Sequence, residues 1–174
     1  MKLYDSASGE LKQVDFGDKA SIYTCGITPY DSSHLGHIAT FLYFDILVRF
    51  LQENNVDVTL VRNVTDLDDP LFERVRTSGE DLKTLVERNV KQLDSDLDQL
   101  GCIAPTYEPY SSQYVEKIIQ AINILLQKDY AYSVDGWTYF DSTKRGTFPE
   151  LEVLKKLGTE KLLEIAYAHG ADKN

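Results

Sequence analysis

Apolar residues recur along the first third of the chain with two different periods. Residues 1–20 are mainly polar and predict a short hairpin with Ser8-Gly9 as its turn. Residues 21–25 predict a first buried strand, and Val56–Val64, which is rich in β-branched residues, predicts a second. Between these strands, His37–Gln52 has apolar positions at helical spacing. This order predicts a right-handed βαβ unit with parallel strands.

The rest of the chain predicts helices and one more hairpin. Helical spacing marks Leu71–Thr77, Glu80–Leu100, Tyr114–Gln127 and Glu150–Ala168. A hairpin turn at Asp135-Gly136 joins the strands Tyr130–Tyr132 and Trp137–Phe140. We find no repeat, low-complexity tract or linker, so residues 1–174 are predicted to form a single α/β domain.

Composition narrows the class of protein. The 174 residues are 43% hydrophobic and 26% charged, which is typical of a globular protein. A net charge of −10 argues against a broad nucleic-acid surface, since phosphate binding needs clustered Lys and Arg. No apolar run reaches the roughly 20 residues that span a bilayer, and the N-terminus lacks a signal-peptide core. Two cysteines are too few for a disulfide scaffold, so the expected compartment is the reducing cytoplasm.

The turn after the first strand carries two histidines. His34-Leu35-Gly36-His37 opens the predicted helix, as in a nucleotide site at the carboxyl end of a parallel strand. Imidazoles three residues apart share a helix face, where they add donors to backbone amides that favour anions. Gly36 allows a ligand to approach the backbone closely. Ordinary turn and capping roles explain the pair equally well, so the spacing alone does not decide.

Other polar residues near the strand ends admit more than one role. Cys25 could ligate zinc, attack a substrate or fill a buried position, and for a lone cysteine the last is the most frequent. Cys102 is the only other thiol, so the residues do not predict a complete zinc site. Asp66, Asp68 and Asp69 could bind magnesium or a ribose, but helix capping is the favoured interpretation.

Two segments resemble a known family. Cys25 to Asp31, followed by His34 to His37, resembles the HIGH signature of class I aminoacyl-tRNA synthetases in its cysteinyl form. Asn63 to Asp69 resembles the second strand-end motif of the same group, at the expected order and distance. The resemblance runs from about Ile22 to the end of the chain. It implies a Rossmann-like parallel sheet with a HIGH-type nucleotide site, and helical and hairpin additions towards the C-terminus.

Within this group the details favour a sister class of ligases, which join cysteine to glucosaminyl-inositol in mycothiol biosynthesis. The chain is similar to them in Ile27-Thr28-Pro29-Tyr30-Asp31, in Ala39-Thr40 and in Asp69-Pro70-Leu71-Phe72-Glu73-Arg74. The resemblance also implies that residues of about 101–149 begin an inserted connective region. The acidic balance fits a small sugar acceptor better than tRNA.

The resemblance implies a role for each matching residue. ATP and cysteine would form cysteinyl-adenylate and pyrophosphate, with Mg²⁺ accompanying ATP, and an amine would then attack. Cys25 would ligate a zinc ion that binds the substrate thiolate. His34, Gly36 and His37 would bind ATP, with the two histidines catalytic. The cysteinyl-adenylate site would be lined by Cys25, Gly26, Ile27, Thr28, Thr40, Asn63, Val64 and Thr65.

Two features of the family have no counterpart in this sequence. The remaining zinc ligands and the Lys-Met-Ser-Lys-Ser-type loop would lie beyond Asn174, and His169–Lys173 echoes a family motif only loosely. The chain is therefore expected to correspond to the N-terminal half of such an enzyme, inactive alone or completed by a separate C-terminal half. Two alternatives stay open: a fragment of a cysteine–tRNA ligase, and a non-catalytic remnant that binds a nucleotide or a partner.

Overall fold

The computed structural model describes residues 1–144 together with residues 160, 161 and 164. The strands are β1 (Lys2–Asp5), β2 (Glu10–Gln13), β3 (Lys19–Ile27), β4 (Asp57–Val64), β5 (Ala131–Val134) and β6 (Trp137–Phe140). The helices are α1 (Leu35–Glu53), α2 (Asp69–Ser78), α3 (Leu82–Gln99) and α4 (Val115–Gln127). The chain divides into two compact units, one formed by residues 16–123 and the other by residues 1–15 with 124–174.

The larger unit is built on the pair β3 and β4, which run parallel from Lys19 opposite Asp57 to Ile27 opposite Val64. Side chains alternate along β3: Ala20, Ile22 and Thr24 are buried, whereas the positions between them are exposed. One face of this strand therefore packs into the core and the other is open. The predicted parallel strands, with a helix between them in the chain, are confirmed.

Two hydrophobic clusters hold the unit together. The first combines Ala20, Ile22 and Leu60 of the strands with Val48 and Leu51 of α1. The second gathers residues from β3, α1, β4, α2 and α3, namely Ile27, Phe41, Val64, Leu71, Leu85, Val86, Val90, Leu93 and Leu97. The second cluster lies where the two strands end, so it fixes the carboxyl ends of β3 and β4 against the helices that follow them.

Residues 106–110 extend the strand pair along the other edge of β4. The amide of Thr106 donates to the carbonyl of Leu60 at 2.7 Å, and the amides of Arg62 and Val64 donate to Tyr107 and Pro109 at 3.1 and 2.9 Å. Bridges of the parallel type join Val61 to Tyr107 and Val64 to Tyr110. The sequence pattern marked no strand here, because Pro105 precedes the segment, Pro109 lies within it, and it pairs only discontinuously.

A buried arginine braces this segment. Arg62 of β4 is 5% exposed and forms ion pairs with Asp94 of α3 and with Glu108. Its guanidinium carbon also lies 5.3 Å from the centre of the Phe41 ring. Both charges of a buried pair need partners, and here the arginine has two carboxylates. We call Arg62, Asp94 and Glu108 the Arg62 brace.

The second unit contains two hairpins. β1 pairs with β2 in antiparallel register from Lys2 opposite Gln13 to Asp5 opposite Glu10. Hydrogen bonding to Lys12 lowers the pKa of Asp5 to about 2. β5 pairs with β6 around Asp135 and Gly136, whose positive φ values of 51° and 85° suit a two-residue hairpin turn. Both predicted hairpins are confirmed.

The helix boundaries differ only slightly from those predicted. α1 begins at Leu35, two residues before the predicted start, because His34 caps it. α2, α3 and α4 fall within a few residues of their predicted ranges, and Gly79 ends α2 with φ of 72°. The predicted helix Glu150–Ala168 lies mainly outside the described residues. No helix in the described ranges has the length and apolar character needed to cross a membrane.

Candidate functional site

The carboxyl end of β3 meets the carboxyl end of β4 at Gly26. The strand register is irregular between Thr24 and Ile27, and the Gly26 amide donates 2.9 Å to Oδ1 of Asn63. A Cβ on residue 26 would overlap the carbonyl oxygen of Asn63, so only glycine fits here. The Asn63 side-chain amide in turn donates 3.1 Å to Oγ1 of Thr65. These contacts bring together three of the residues predicted to line the adenylate site.

The loop after β3 is tied to the helices that follow β4. The Thr28 hydroxyl donates 3.1 Å to Oδ2 of Asp68, and Oδ1 of the same carboxylate accepts from the Asp69 amide that begins α2. The buried Asn89 of α3 donates 2.8 Å to the carbonyl of Pro29. The loop from 28 to 31 is thus bound to the cap of α2 through Thr28 and to α3 through Pro29. Asp68 caps α2, which is the role that the sequence favoured for the acidic turn.

His34 and His37 interact directly at the beginning of α1. Nδ1 of His34 accepts from the amides of Gly36 and His37 at 3.1 and 3.4 Å, and Nδ1 of His37 accepts from the His34 amide at 3.4 Å. The rings stack with centroids 3.8 Å apart. Since each Nδ1 accepts, each neutral ring keeps its proton on Nε2 as a donor for another molecule. In this geometry the two histidines can cap the helix through Nδ1 and still donate hydrogen bonds to a ligand through Nε2.

Burial, and then the neighbouring His34, lower the pKa of His37 below its ordinary value. His37 is therefore neutral at pH 7, which preserves the acceptor that the reciprocal cap requires. Thr40, one turn further on, is exposed and donates 3.0 Å to the carbonyl of Gly36. The first turn of α1 thus presents the Nε2 atoms of two imidazoles, whereas its Gly36 and His37 amides already donate to Nδ1 of His34.

Two of the predicted lining residues have buried side chains. Ile27 and Val64 are 4% and 2% exposed and belong to the core cluster at the strand ends. Only their main-chain atoms remain to contact a ligand, and the Ile27 carbonyl is already taken by the Thr65 amide at 2.9 Å. These residues therefore position the strand ends rather than present side chains.

Cys25 is exposed on the open face of β3 and is not in a disulfide. Within residues 1–144 and the three further described positions, no group of three or more His, Cys, Asp and Glu side chains could hold a metal ion. A protein zinc site requires three or four such ligands. The described residues therefore do not fit a complete zinc site, and Cys25 contributes one thiol only. Cys102 is half-buried elsewhere, and burial raises its pKa.

Two contacts at the site were missed by the sequence analysis. Asn89 was treated only as part of a helix, although a polar residue within the apolar stripe of Leu85, Val86 and Val90 was a signal of a buried hydrogen bond. Asp66 was considered for metal binding or capping, but its carboxylate accepts from the amide and hydroxyl of Ser112, with an amide distance of 2.8 Å. That contact joins residues 46 positions apart, and no local pattern indicates it.

Known proteins resemble the chain over most of its length. The family described as tRNA synthetases class I (C) catalytic domain matches residues 12–173. The cysteine–tRNA ligase of Trichlorobacter lovleyi is 38% identical over 142 residues, which are 80% of this chain and 29% of the relative.

Two further relatives carry another name, L-cysteine:1D-myo-inositol 2-amino-2-deoxy-alpha-D-glucopyranoside ligase. The protein from Corynebacterium aurimucosum is 38% identical over 161 residues, 92% of this chain and 38% of the relative. The protein from Streptosporangium roseum is 33% identical over 172 residues, 99% of this chain and 42% of the relative. The chain thus spans less than half the length of each of these curated relatives. Together with the parallel strand pair and the strand-end residues described above, these matches show that the chain belongs to the class I (C) tRNA synthetase catalytic domain family, whose members include cysteine ligases.

Proposed function

We propose that the chain carries the part of a cysteine ligase that binds ATP and forms cysteinyl-adenylate. The observation that carries this proposal is the reciprocal cap of His34 and His37, which stacks two imidazoles at the start of α1 and leaves both Nε2 atoms without a hydrogen-bond partner among the described residues. Donors held in place before a ligand arrives stabilise charge that develops on a phosphate during transfer. Gly26 and Asn63 bring the carboxyl ends of β3 and β4 together.

The proposed reaction has two steps. A carboxylate oxygen of cysteine attacks the α-phosphorus of ATP, so that a C–O–P linkage forms and pyrophosphate leaves. The nitrogen of an amine then attacks the carbonyl carbon of the adenylate, the C–N bond forms, the C–O bond to AMP breaks, and a proton passes from the amine to solvent. Mg²⁺ would accompany ATP. We assign no step to zinc, because the described residues supply only the Cys25 thiol.

The amine acceptor is proposed to be glucosaminyl-inositol, in line with the names of the Corynebacterium and Streptosporangium relatives. The net charge of −10 supports a small sugar amine over a polyanion such as tRNA. The alternative acceptor is tRNA, as in the name of the Trichlorobacter relative. A tRNA affinity that weakens steeply as salt increases would favour that alternative. The expected compartment remains the cytoplasm.

Cysteine-dependent exchange of pyrophosphate into ATP tests the first step without any acceptor. The chain is assayed alone and together with the rest of the Corynebacterium aurimucosum ligase, expressed as a separate polypeptide. Exchange above background in either mixture is expected, and His37→Ala should reduce it about 100-fold because a phosphate donor is lost. Gln52→Ala, at the opposite end of α1, is the matched control. Background exchange in both mixtures, or equal exchange in the two variants, contradicts the proposal.

A second candidate function is binding of a partner chain without catalysis. In the described ranges β3 pairs with β4 on one edge only, and α1 exposes Tyr43, Ile46 and Phe50 at 79%, 66% and 49%. An open strand edge beside exposed apolar side chains favours association. Sedimentation of the chain with the separately expressed remainder of the relative tests this function. A complex that forms without any pyrophosphate exchange supports it, and separate boundaries for the two polypeptides contradict it.

A further inference from the structure

A cavity of about 330 Å³ opens beside the proposed adenylate site, on the exposed face of the strand pair. It lies in the larger unit, between β3, β4 and the start of α4. Its lining includes Tyr23, Asn63, Tyr110, Ser111, Tyr114 and Ile118. A cavity of this size that is lined by aromatic residues and a few polar groups is typical of a small-molecule site.

The wall of this cavity is held by several specific contacts. The Ser111 hydroxyl donates 3.3 Å to the carbonyl of Val64, and the Tyr110 amide donates 3.3 Å to Oε1 of Gln113. The Asp66 carboxylate accepts from Ser112 at the next position. Tyr110 therefore precedes, and Tyr114 ends, a short 3₁₀ turn (Ser111–Tyr114) that is bound to the carboxyl end of β4, so the cavity is formed before any ligand binds.

The cavity shares residues with the strand ends. Asn63 lines it and also accepts from the Gly26 amide. Tyr23 lies two positions before Cys25 in β3, and both are exposed where Thr24 between them is buried. Side chains two positions apart in a strand project to the same face, about 7 Å apart. A molecule in the cavity would therefore lie next to the residues at which the adenylate is proposed to form.

The chemistry of the lining selects a class of ligand. None of the cavity residues that the structure describes is charged, so the cavity lacks the cations that would hold a phosphate. Three tyrosine rings offer apolar faces, and Asn63, Ser111 and the phenols offer donors and acceptors. This combination suits a neutral ring that has one apolar face and several hydroxyl groups. An amine placed near such a cavity favours its uncharged form, which is the nucleophile.

We propose that this tyrosine-lined cavity is the acceptor subsite, and that it binds the hydroxylated rings of a sugar amine such as glucosaminyl-inositol. The inference depends on the proposed function, since it places the second substrate of that reaction. It adds Tyr23 and Tyr114 as binding residues for the acceptor, which neither the family resemblance nor the relatives' names assign.

Direct titration of glucosaminyl-inositol into the chain tests the proposal without requiring turnover. Binding is followed by NMR through the methyl groups of Ile118 and the rings of the tyrosines, with adenosine as a second probe. Tyr23→Leu and Tyr114→Leu remove an aromatic face while keeping an apolar side chain, and each should weaken binding about tenfold. Tyr43→Leu is the matched control, because Tyr43 is 79% exposed on α1 and does not line the cavity.

The outcomes separate this inference from the proposed function. Saturable binding that both cavity variants weaken and the control does not supports the acceptor subsite. The absence of saturable binding, equal affinity in all variants, or adenosine binding more tightly than the sugar amine overturns it. Pyrophosphate exchange is measured on the same preparations: exchange without sugar binding rejects the subsite alone, and sugar binding without exchange rejects the proposed activation alone.

Discussion

Arg62 and Asn63 are neighbours on β4 and belong to two different polar clusters. The clusters differ in how many of their polar groups remain available to a ligand. In the Arg62 brace, a guanidinium that is almost fully buried is matched by two carboxylates and the face of Phe41. In the candidate site, Gly26 hydrogen-bonds to Asn63 and His34 to His37, but both Nε2 atoms lack a hydrogen-bond partner among the described residues, and Cys25 is exposed.

The difference separates a structural cluster from a candidate site. A buried charge is stable only when its partners are satisfied within the protein, so the Arg62 brace has little capacity left for a ligand. A ligand site needs the opposite: groups that are positioned by internal hydrogen bonds but keep donors or acceptors for another molecule. Each of the following substitutions changes one of the two clusters, and its effect on stability or activity shows which role that cluster has.

Gly26→Ala should have the largest effect, because the new Cβ would overlap the Asn63 carbonyl, which is part of the backbone and cannot move aside. We expect a loss of about 3 kcal/mol or more in the free energy of unfolding, measured by urea denaturation. Gly101→Ala is the control: its φ of 72° is also unfavourable, but nothing lies within 4 Å, so about 1 kcal/mol is expected. Equal losses in both variants would mean that the close contact at Gly26 is unimportant.

Arg62→Met should cost about 3 kcal/mol of stability, because it leaves Asp94 and Glu108 unpaired and removes the cation above Phe41. Hydrogen exchange of the amides of residues 106–110 should rise as this segment loosens from β4. Arg74→Met, on the exposed face of α2, should change stability by less than about 0.5 kcal/mol. A variant with unchanged exchange in residues 106–110 would show that the brace does not hold that segment.

Asn63→Ala should cost about 1–2 kcal/mol, because the Gly26 amide loses its acceptor. If the unsubstituted chain catalyses pyrophosphate exchange, the variant should lose more of this activity than its lost fraction of folded protein explains. The reason is that Asn63 no longer positions the end of β3 through Gly26. Asn54→Ala removes an exposed side-chain hydrogen bond to Phe50 at the far end of α1 and serves as the control. Full exchange activity in folded Asn63→Ala would remove Asn63 from the site.

The smallest expected effect is a pH dependence at the start of α1. Since burial and His34 lower the pKa of His37 in the folded protein, the unfolded chain takes up a proton first as the pH falls. Stability should therefore be constant above about pH 7.5 and decrease as the pH falls through about 6.5. Thermal unfolding at a series of pH values measures this. His37→Gln, which keeps a capping side chain without titrating, should reduce the slope, and an unchanged slope would exclude His37 as its source.

Local patterns were sufficient for the strands and helices of the described residues. The alternation in β3 and the helical period of α1 depend on neighbours a few positions away, so their burial is readable from the chain. The start of α1 was misplaced by two residues because a histidine is not among the usual capping residues. The roles of Gly26 and Asn63 were implied only through the family resemblance, the spacing of His34 and His37 left capping and anion binding open, and the zinc site stays a prediction.

The order of strands and helices, the turn with its two histidines and the resemblance to the class I (C) synthetase family all follow from the residues of this chain, because each depends on short-range periodicity or on contiguous motifs. Which side chains meet was decided by the tertiary structure alone. The contacts Gly26–Asn63, Thr28–Asp68, Asn89–Pro29 and Arg62–Glu108 join residues 37 to 60 positions apart. Such contacts exist only once parallel pairing and helix packing have fixed the path of the chain, and the tyrosine-lined cavity depends on the same folding step.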